Sequence, residues 1–393
     1  MKIVVVGTRG FPDVQGGVER HCEELYTRLA ALGCDITVIS RSPYTGGTPY
    51  VYRGVQVLPV DCPKHKFMEA PIHTLLGVLK AKQLKAKILH VHAIGPSLFV
   101  PLARLLGMKV VMTHHGPDYE RKKWNWFAKT ILRLGERLGV TCSNQVIAVS
   151  QAIGCSVRAR FGRDLAVIPN GVVVSEPAHE EEVLKKYDLE RGEYILAVGR
   201  LVPEKGFDEL IESFERFATA GQSRVLRKKL VIVGDADHED EYSRQLKKKS
   251  SRISGVVMTG FQTGKPLQEL YSHAGLFVLP SYHEGLPITL LEALSYGSSC
   301  LVSDIPANRE VGLENDRYFR PGDIGVMTRK LEQFVNEAPA GDGPRAKRIQ
   351  QVVRDYDWGQ IAARTLELYE GMLGSNNHWP MIEMKEKALA FAG

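Results

Sequence analysis

The chain has 393 residues, too many for one ordinary hydrophobic core, and its 44% hydrophobic and 24% charged residues are those of a soluble globular protein. Residues 1–170 contain 23 Lys and Arg against 11 Asp and Glu, and the remainder contains 28 against 34. No apolar run has the length of a membrane span. The basic first part indicates an anionic partner, either a phosphate-bearing ligand or an anionic membrane surface, with an ordinary solvated face as the alternative.

Strand-like apolar runs alternate with helix-period segments along the first half. The run at 2–7 precedes a predicted amphipathic helix over 18–33. Further strands are predicted over 35–40, 55–60, 88–93, 109–115, 145–150 and 165–170. Continuous apolar strands separated by helices predict a parallel sheet that is covered on both faces.

The same pattern restarts after a polar, acidic stretch. Strands are predicted over 194–199, 230–234, 255–260, 276–281 and 299–304. We therefore predict an α/β protein with two Rossmann-like, doubly wound domains, residues 1–175 and 176–355. A last strong helix is predicted over 358–373, within a segment 356–375, and residues 376–393 are a weakly patterned tail.

The cysteines and the first residues bear on the compartment. The six cysteines include no CxxC pair, which predicts reduced thiols in a cytoplasmic protein rather than disulfides or a zinc site. The opening "MKIVVVG" is typical of a buried strand and not of a signal peptide. We expect a cytoplasmic protein whose membrane contact, if it has any, is peripheral.

Ligands of open parallel sheets bind beyond the carboxyl ends of the strands, so the residues after each strand are the candidates for a site. Gly16 and Gly17 stand directly before the first helix. Paired glycines at a helix N-terminus let backbone N–H groups approach an anion. A flexible turn is the alternative.

Two histidines end the strand predicted over 109–115. His114 and His115 cannot both face the same way, so we expect one to be a packed core residue. His115, next to Gly116, is better placed to reach a ligand, although a structural role is an equal alternative. No histidine and carboxylate cluster nearby has metal-ligand spacing, and no Ser-His-Asp arrangement is defined.

Two basic residues follow the first strand of the second domain. Arg200 follows the strand directly, and Lys205 lies just before the next helix. A planar guanidinium and an ammonium at a strand-to-helix turn suit a diphosphate. Ordinary surface charges are the alternative.

Two glutamates flank Pro287 in "EGLPITLLE". Glu284 is expected in the loop at the mouth of a helix that Pro287 begins, and Glu292 is expected to be buried along that helix. A carboxylate can accept two hydrogen bonds from a vicinal diol, so the pair could hold two sugar rings of one ligand. A salt bridge to an internal arginine is the alternative for Glu292.

The segments "EGLPITLLE", "GRLVPEKG", "VIPNGV" and "THHG", with the early "GG" loop, resemble the retaining glycosyltransferases of family 4, which have the GT-B fold. The motifs extend over residues 1–373, and a glutamate pair separated by seven residues is the hallmark of that family. The resemblance implies two domains that face a cleft, the first for the acceptor and the second for a nucleotide sugar. It also implies that the C-terminal helix crosses back to the first domain.

The resemblance also assigns donor-binding roles. Glu292 would hold the ribose of the donor, and Glu284 would contact the hydroxyls of its sugar. Arg200 and Lys205 would neutralise the diphosphate leaving group. The backbone that follows Glu284 would assist them, at Gly285 and Leu286.

Two further elements would come from the first domain. The Gly16–Gly17 loop would border the phosphates and the acceptor, and His115 would line the reaction centre. In "GDADHED", Asp235 and Asp237 follow a strand, and we interpret this segment as a loop near the nucleotide rather than as a metal site. Cations and helix dipoles would then do the work that a divalent metal does elsewhere, so we expect no metal and no cofactor.

The expected acceptor is a glycan or a lipid-linked sugar. Residues 121–138 mix basic and aromatic side chains, and residues 62–67 add to them. Such mixing suits an anionic membrane surface. An ordinary amphipathic surface helix with a packed tryptophan is equally compatible with the pattern.

Other functions remain open from the sequence. A GT-B nucleotide-sugar epimerase would turn over the donor, which we expect to be a UDP- or GDP-sugar, without an acceptor. A sucrose- or glycogen-type synthase would make a soluble product, and a non-catalytic protein would only bind nucleotide sugars. A nucleic-acid partner is disfavoured because the second domain is acidic and carries no recognition motif.

Overall fold

The structure is a computed structural model, and it describes residues 1–63, 68–121, 124–174, 176–219, 228–335 and 342–374. Most of the basic segment 62–67, Lys122 and Lys123, and the tail 376–393 lie outside the described residues. The chain forms two compact units: unit 1 is Met1–Gly171 with Tyr356–Gly393, and unit 2 is Val172–Asp355. The first boundary lies after residue 171, where the sequence placed it after 175.

The described residues contain fourteen strands, of which β5, β9, β12, β13 and β14 are buried along their whole length. They are β1 (Lys2–Val6), β2 (Asp35–Arg41), β3 (Tyr50–Tyr52), β4 (Val55–Val60), β5 (Ile88–His92), β6 (Lys109–His114), β7 (Gln145–Ala148), β8 (Ala166–Val167), β9 (Tyr194–Val198), β10 (Lys229–Val233), β11 (Val256–Gly260), β12 (Leu276–Leu279), β13 (Cys300–Ser303) and β14 (Tyr318–Phe319).

The helices separate these strands. They are α1 (Gly17–Ala31), α2 (Ser42–Thr45), α3 (Glu69–Gln83), α4 (Val100–Leu105), α5 (Trp126–Cys142), α6 (Gln151–Phe161), α7 (Glu182–Lys186), α8 (Phe207–Thr219), α9 (Glu241–Ser250), α10 (Gly264–His273), α11 (Ile288–Ser295), α12 (Pro306–Arg309), α13 (Ile324–Phe334), α14 (Asp342–Tyr356) and α15 (Trp358–Leu373). Among the described helices, none is both long and apolar enough to cross a membrane.

Unit 1 is built on an eight-stranded sheet in the order β3-β4-β2-β1-β5-β6-β7-β8. Its strands are parallel except for the antiparallel β3–β4 pair. The predicted parallel sheet is therefore confirmed, whereas β3 was missed. The hairpin that joins β3 to β4 has Arg53 and Gly54 as its two turn residues, with φ of 43° and 82°. A two-residue turn that matches the twist of the flanking strands needs positive φ at both positions.

Helix α15 belongs to unit 1 and matches the predicted span 358–373. The Asp357 side chain accepts a hydrogen bond from the backbone N–H of Gln360, which begins the helix, and Gly374 ends it in the left-handed conformation. Tyr369 is fully buried, and α15 packs against α1.

Unit 2 has a six-stranded parallel sheet in the order β11-β10-β9-β12-β13-β14. Helix α8 shows why the sequence folds this way. Its apolar residues recur every three or four positions, and that face packs on the sheet through Phe207, Leu210, Ile211, Phe214 and Phe217. Strand β14 was not predicted, since two residues are too few for a periodic signal.

Candidate active site

The loop after β9 is held against the end of β12 by a glycine. Gly206 has a φ of +67°, and a Cβ atom placed on it would lie 2.4 Å from the backbone oxygen of Pro280. Only glycine fits there without moving one of the two chain segments. Gly206 therefore allows the turn that contains Lys205 to approach the residues that follow β12.

This approach brings together two of the predicted site residues. Lys205 Nζ donates a hydrogen bond to Glu284 Oε1 at 2.6 Å, and the two side chains are only 15% and 12% exposed. They are 79 positions apart in the sequence. They meet because β9 and β12 are neighbours in the sheet, so their carboxyl ends share one edge.

The second predicted cation is also paired. Arg200 Nη1 donates to Asp237 Oδ2 at 2.7 Å. Asp237 lies in the acidic loop after β10, the neighbour of β9 on its other side. In the same loop, Asp235 forms an ion pair of 2.8 Å with Lys247. Both carboxylates thus have a cation of the chain as partner.

Glu292 differs from its expected environment, because its side chain is half-buried rather than buried. The buried residues of α11 are Ile288, Leu290, Leu291, Ala293, Leu294 and Ser295. Glu292 and Thr289 lie one turn apart on the strip that these residues leave uncovered.

The Glu292 carboxylate has a hydrogen-bond partner that the sequence did not reveal. Tyr271 of α10 donates its hydroxyl to Glu292 Oε2 at 3.0 Å, and its ring stacks on Tyr296 with 5.7 Å between centroids. Burial, and then the Glu292 carboxylate, raise the pKa of Tyr271 well above its usual value. The phenol therefore stays protonated and donates to Glu292.

The backbone between the two glutamates leads directly into α11. Gly285 is half-buried, and Leu286 is 3% exposed. The helix begins at Ile288, so Pro287 precedes the first helical residue instead of being it. The Pro287 carbonyl oxygen accepts hydrogen bonds from the N–H groups of Leu290 and Leu291 at 3.1 and 3.2 Å.

In unit 1, Gly16 and Gly17 have different surroundings. Gly16 has a φ of +151°, and a Cβ atom there would lie 2.0 Å from Glu19 Oε2. Glu19 accepts hydrogen bonds from the backbone N–H and the guanidinium of Arg9, which is itself buried. Gly17 is exposed, with no atom among the described residues within 4 Å of a Cβ atom placed on it. Close packing thus explains why position 16 is a glycine, whereas Gly17 is the first residue of α1.

The two histidines after β6 separate as the sequence suggested. His114 is buried, with its Nε2 2.9 Å from Glu136 Oε1, and Glu136 also binds Arg160. His115 is half-buried, and its Nε2 lies 2.9 Å from Nδ1 of His92. His114 is therefore the packed residue of the pair.

His92 continues a chain of hydrogen bonds that the sequence analysis missed. Its Nε2 lies 2.5 Å from the Tyr26 hydroxyl, which is 2.8 Å from Nδ1 of His90. The other nitrogen of His90 is 2.7 Å from Thr113 Oγ1. The signal was present in "HVH", because residues two apart on a strand share a face.

His21, His92 and His115 are held neutral by a lowered pKa. Burial lowers the pKa of His92 and of His115 well below the usual value, with a further contribution from the neighbouring histidines. Burial also lowers the pKa of His21 to about 4. At neutral pH each of these rings therefore keeps a lone pair that can accept a hydrogen bond or bind a cation.

Comparison with known proteins agrees with this architecture. The family model "Glycosyltransferase Family 4" matches residues 15–176, and "Glycosyl transferases group 1" matches residues 179–354. Glycogen synthase of Mycobacterium tuberculosis is 25% identical over 99% of both chains. O-antigen chain mannosyltransferase B of Escherichia coli is 25% identical over 49% of this chain and 50% of its own.

Two solved structures show the same fold. Sucrose-phosphate synthase from Thermosynechococcus elongatus superposes with a TM-score of 0.80 at 16% identity, covering 95% of this chain and 99% of its own. Anabaena HepE in complex with UDP-glucose superposes with a TM-score of 0.75 at 16% identity, covering 94% and 99%. The family models and the relatives show an enzyme of glycosyl transfer, and the solved structures show its GT-B fold. The chain belongs to glycosyltransferase family 4.

Proposed function

We propose that this glycosyltransferase is a retaining enzyme that moves a sugar from a UDP- or GDP-sugar to the hydroxyl of a glycan or lipid-linked acceptor. The observation that carries the proposal is the Lys205–Glu284 contact at the carboxyl ends of β9 and β12. It unites the two motifs to which the resemblance assigns the leaving group and the donor sugar. HepE, which has the same fold, was solved with UDP-glucose and supports a nucleotide-sugar donor.

Arg200 and Lys205 are the proposed ligands of the diphosphate. In the structure they pair with Asp237 and Glu284, which hold both cations in place. A diphosphate offers charged oxygens to both cations, and its charge-assisted hydrogen bonds strengthen as the leaving group develops. The N–H groups at the start of α11, beside Gly285 and Leu286, would add the positive end of the helix dipole.

Glu292 is the proposed ribose ligand. Its half-buried position suits a group that must meet a ligand, and Tyr271 fixes one of its oxygens at 3.0 Å. Glu284 is assigned to the hydroxyls of the donor sugar, which would replace part of its contact with Lys205. Both carboxylates would act as acceptors only, which is the role a sugar diol requires.

The proposed chemistry breaks the glycosidic bond with oxocarbenium character. Stabilisation of the diphosphate lets the bond to the leaving oxygen lengthen first. The acceptor hydroxyl then attacks from the face that the leaving group occupied, and the departing phosphate oxygen takes its proton. We assign His115, neutral and half-buried, to the lining of the reaction centre. No metal or other cofactor is part of this proposal.

The proposal of a membrane-associated acceptor is based on the exposed aromatic and basic side chains of helix α5 in unit 1. On α5, Trp126 is 78% exposed, Phe127 is 58% exposed and Leu134 is 47% exposed. Arg133 and Arg137 are exposed on the same helix. Exposed aromatic and basic side chains on one helix suit the interface of an anionic bilayer. A relative named O-antigen chain mannosyltransferase B supports a glycan acceptor.

A soluble acceptor is the second candidate. It is favoured by glycogen synthase, which matches 99% of the chain, and by the likeness to sucrose-phosphate synthase. Sedimentation with anionic vesicles separates the two candidates. If the double variant Trp126→Ala, Phe127→Ala binds these vesicles as well as the wild type does, the membrane part of the proposal is wrong.

Nucleotide binding tests the donor site. Thermal unfolding of the wild type with UDP, GDP, ADP and dTDP, first without metal and then with Mg²⁺, should show one diphosphate that raises the melting temperature without metal. The shift should shrink in Glu292→Ala and persist in Glu332→Ala, a matched control at an exposed site on α13. Equal shifts in both variants would remove the ribose role.

Retention and transfer are tested on the product. Incubation of the enzyme with the nucleotide sugar that binds, together with candidate acceptors, should yield a glycoside whose anomeric configuration by NMR equals that of the donor. Inversion of the anomeric centre would refute the retaining mechanism. Conversion of the donor into an epimer without any acceptor would instead favour the epimerase alternative.

A further inference from the structure

Three histidines of unit 1 form a cluster, and the proposed function uses only one of them, His115. His21 lies on α1, His92 is the last residue of β5, and His115 directly follows β6. One ring nitrogen of each lies within 4.8 Å of those of the other two. We propose that these three imidazoles bind one divalent transition-metal ion, with Zn²⁺ as the expected ion.

His21 has a buried ring nitrogen without a hydrogen-bond partner among the described residues. Its Nδ1 lies 2.9 Å from Oδ1 of Asn170, and an amide oxygen can only accept, so Nδ1 carries the proton. The lone pair is then on Nε2. This atom is buried and has no hydrogen-bond partner among the residues that the structure describes. A buried polar atom without a partner is costly, and a bound cation would supply one.

His92 is held in the same manner. Its Nε2 contacts the Tyr26 hydroxyl at 2.5 Å, so its Nδ1 faces His115. Histidines that bind metal ions keep their other nitrogen in a hydrogen bond, which fixes the tautomer and the orientation of the ring. Both His21 and His92 have this second contact, through Asn170 and Tyr26.

The three rings must adjust to bind one ion, because their nitrogens lie within 4.8 Å of one another whereas two nitrogens on one tetrahedral Zn²⁺ are about 3.3 Å apart. His92 Nδ1 and His115 Nε2 are 2.9 Å apart, the length of a hydrogen bond. These two rings must therefore separate by a few tenths of an ångström. His115 is the half-buried member of the cluster and stands next to Gly116, so of these two rings it is the one that can move.

The ligand atoms select the type of ion. Imidazole nitrogens suit Zn²⁺, Co²⁺, Ni²⁺ and Cu²⁺, whereas Mg²⁺ and Ca²⁺ prefer oxygen. Three histidines also leave a fourth coordination position open for water or another ligand. The inference does not depend on the proposed function, because metal affinity can be measured without any substrate.

The test uses the untagged full-length protein after treatment with EDTA. Titration with Co²⁺ should produce the visible absorption bands of tetrahedral cobalt, saturating at one ion per chain. Zn²⁺ should displace the cobalt and bleach these bands, and Mg²⁺ should not. A chain that binds no cobalt, or binds it without the tetrahedral bands, would overturn the proposal.

Variants locate the site. His21→Gln should abolish the bands, and Asn170→Ala, which keeps all three imidazoles, should lower Zn²⁺ affinity by about 10–100-fold. His73→Gln changes another buried histidine, on α3 outside the cluster, and should bind Co²⁺ as the wild type does. His115→Gln replaces the half-buried ligand and serves if His21→Gln does not fold. Wild-type Co²⁺ binding by folded His21→Gln or His115→Gln would refute the assignment.

Discussion

Gly206→Ala is the substitution whose consequence follows most directly from the structure. Gly206 is in the left-handed conformation, and an added Cβ atom would lie 2.4 Å from the Pro280 carbonyl oxygen. The conformation alone costs an alanine about 1–2 kcal/mol. The contact adds about 1–3 kcal/mol, since an overpacked site must shift backbone or side chains. We expect the free energy of unfolding to fall by about 2–5 kcal/mol.

Gly312→Ala separates the two contributions. Gly312 also lies in unit 2 with a φ of +76°, but an added Cβ atom would have no neighbour within 4 Å among the described residues. This variant should lose only the conformational part. Urea denaturation of the wild type and both variants measures the difference, which should be about 1–3 kcal/mol.

The comparison of Gly206→Ala with Gly312→Ala also tests the proposed nucleotide site. In Gly206→Ala the loop that carries Lys205 must move away from the end of β12, so the Lys205–Glu284 contact should weaken. UDP or GDP should then bind less tightly to Gly206→Ala than to Gly312→Ala in calorimetry. Equal stability of the two variants would refute the packing argument. Equal nucleotide affinity with unequal stability would refute only the role of Lys205.

Three further predictions concern other parts of the chain. Burial, and then Arg41, lower the pKa of His73 from 6.5 to about 4. Between these values the unfolded chain binds a proton that the folded chain does not. As the pH falls from 6.5 to 4, the free energy of unfolding of the wild type should therefore fall by up to about 3 kcal/mol relative to that of His73→Leu, as measured by urea denaturation. Parallel pH profiles of stability for the two proteins would contradict this. Gly16→Ala should disrupt the buried Arg9–Glu19 pair and lower the free energy of unfolding by about 3 kcal/mol, whereas Gly17→Ala should leave it nearly unchanged. Equal melting temperatures of the two variants would contradict the packing argument for Gly16. Tyr271→Phe removes the hydrogen-bond donor to Glu292, so the free energy of unfolding should fall by about 1 kcal/mol and nucleotide binding in calorimetry should weaken. Unchanged nucleotide affinity would argue against Glu292 as the ribose ligand.

The sequence predicted the regular elements wherever they are long or strongly patterned. The span of α15 is confirmed at both ends, because Asp357 and Gly374 are local capping signals. The buried strands were found because continuous apolar runs identify them without reference to the rest of the chain. The short strands β3 and β14 were missed, since two or three residues hold too little pattern.

The sequence could identify individual site residues, but it could not predict which of them contact one another. Arg200, Lys205 and Glu284 stand at strand ends, which a sequence can identify. The contacts of Arg200 with Asp237 and of Lys205 with Glu284 depend on β10 and β12 flanking β9. Glu292 was placed in the core because its neighbours in the sequence are apolar, although its own strip of the helix is not covered.

The sequence by itself thus determined the two α/β units, the order of their strands along the chain and the family resemblance, because these depend on local periodicity and short motifs. Only the tertiary structure decided which strand ends are neighbours. It brings Tyr271 to Glu292, and it brings His21, His92 and His115 within 4.8 Å of one another. The physical reason is that the order of strands in a sheet is set by the packing of the whole unit, and a residue's neighbours in the sequence do not record it.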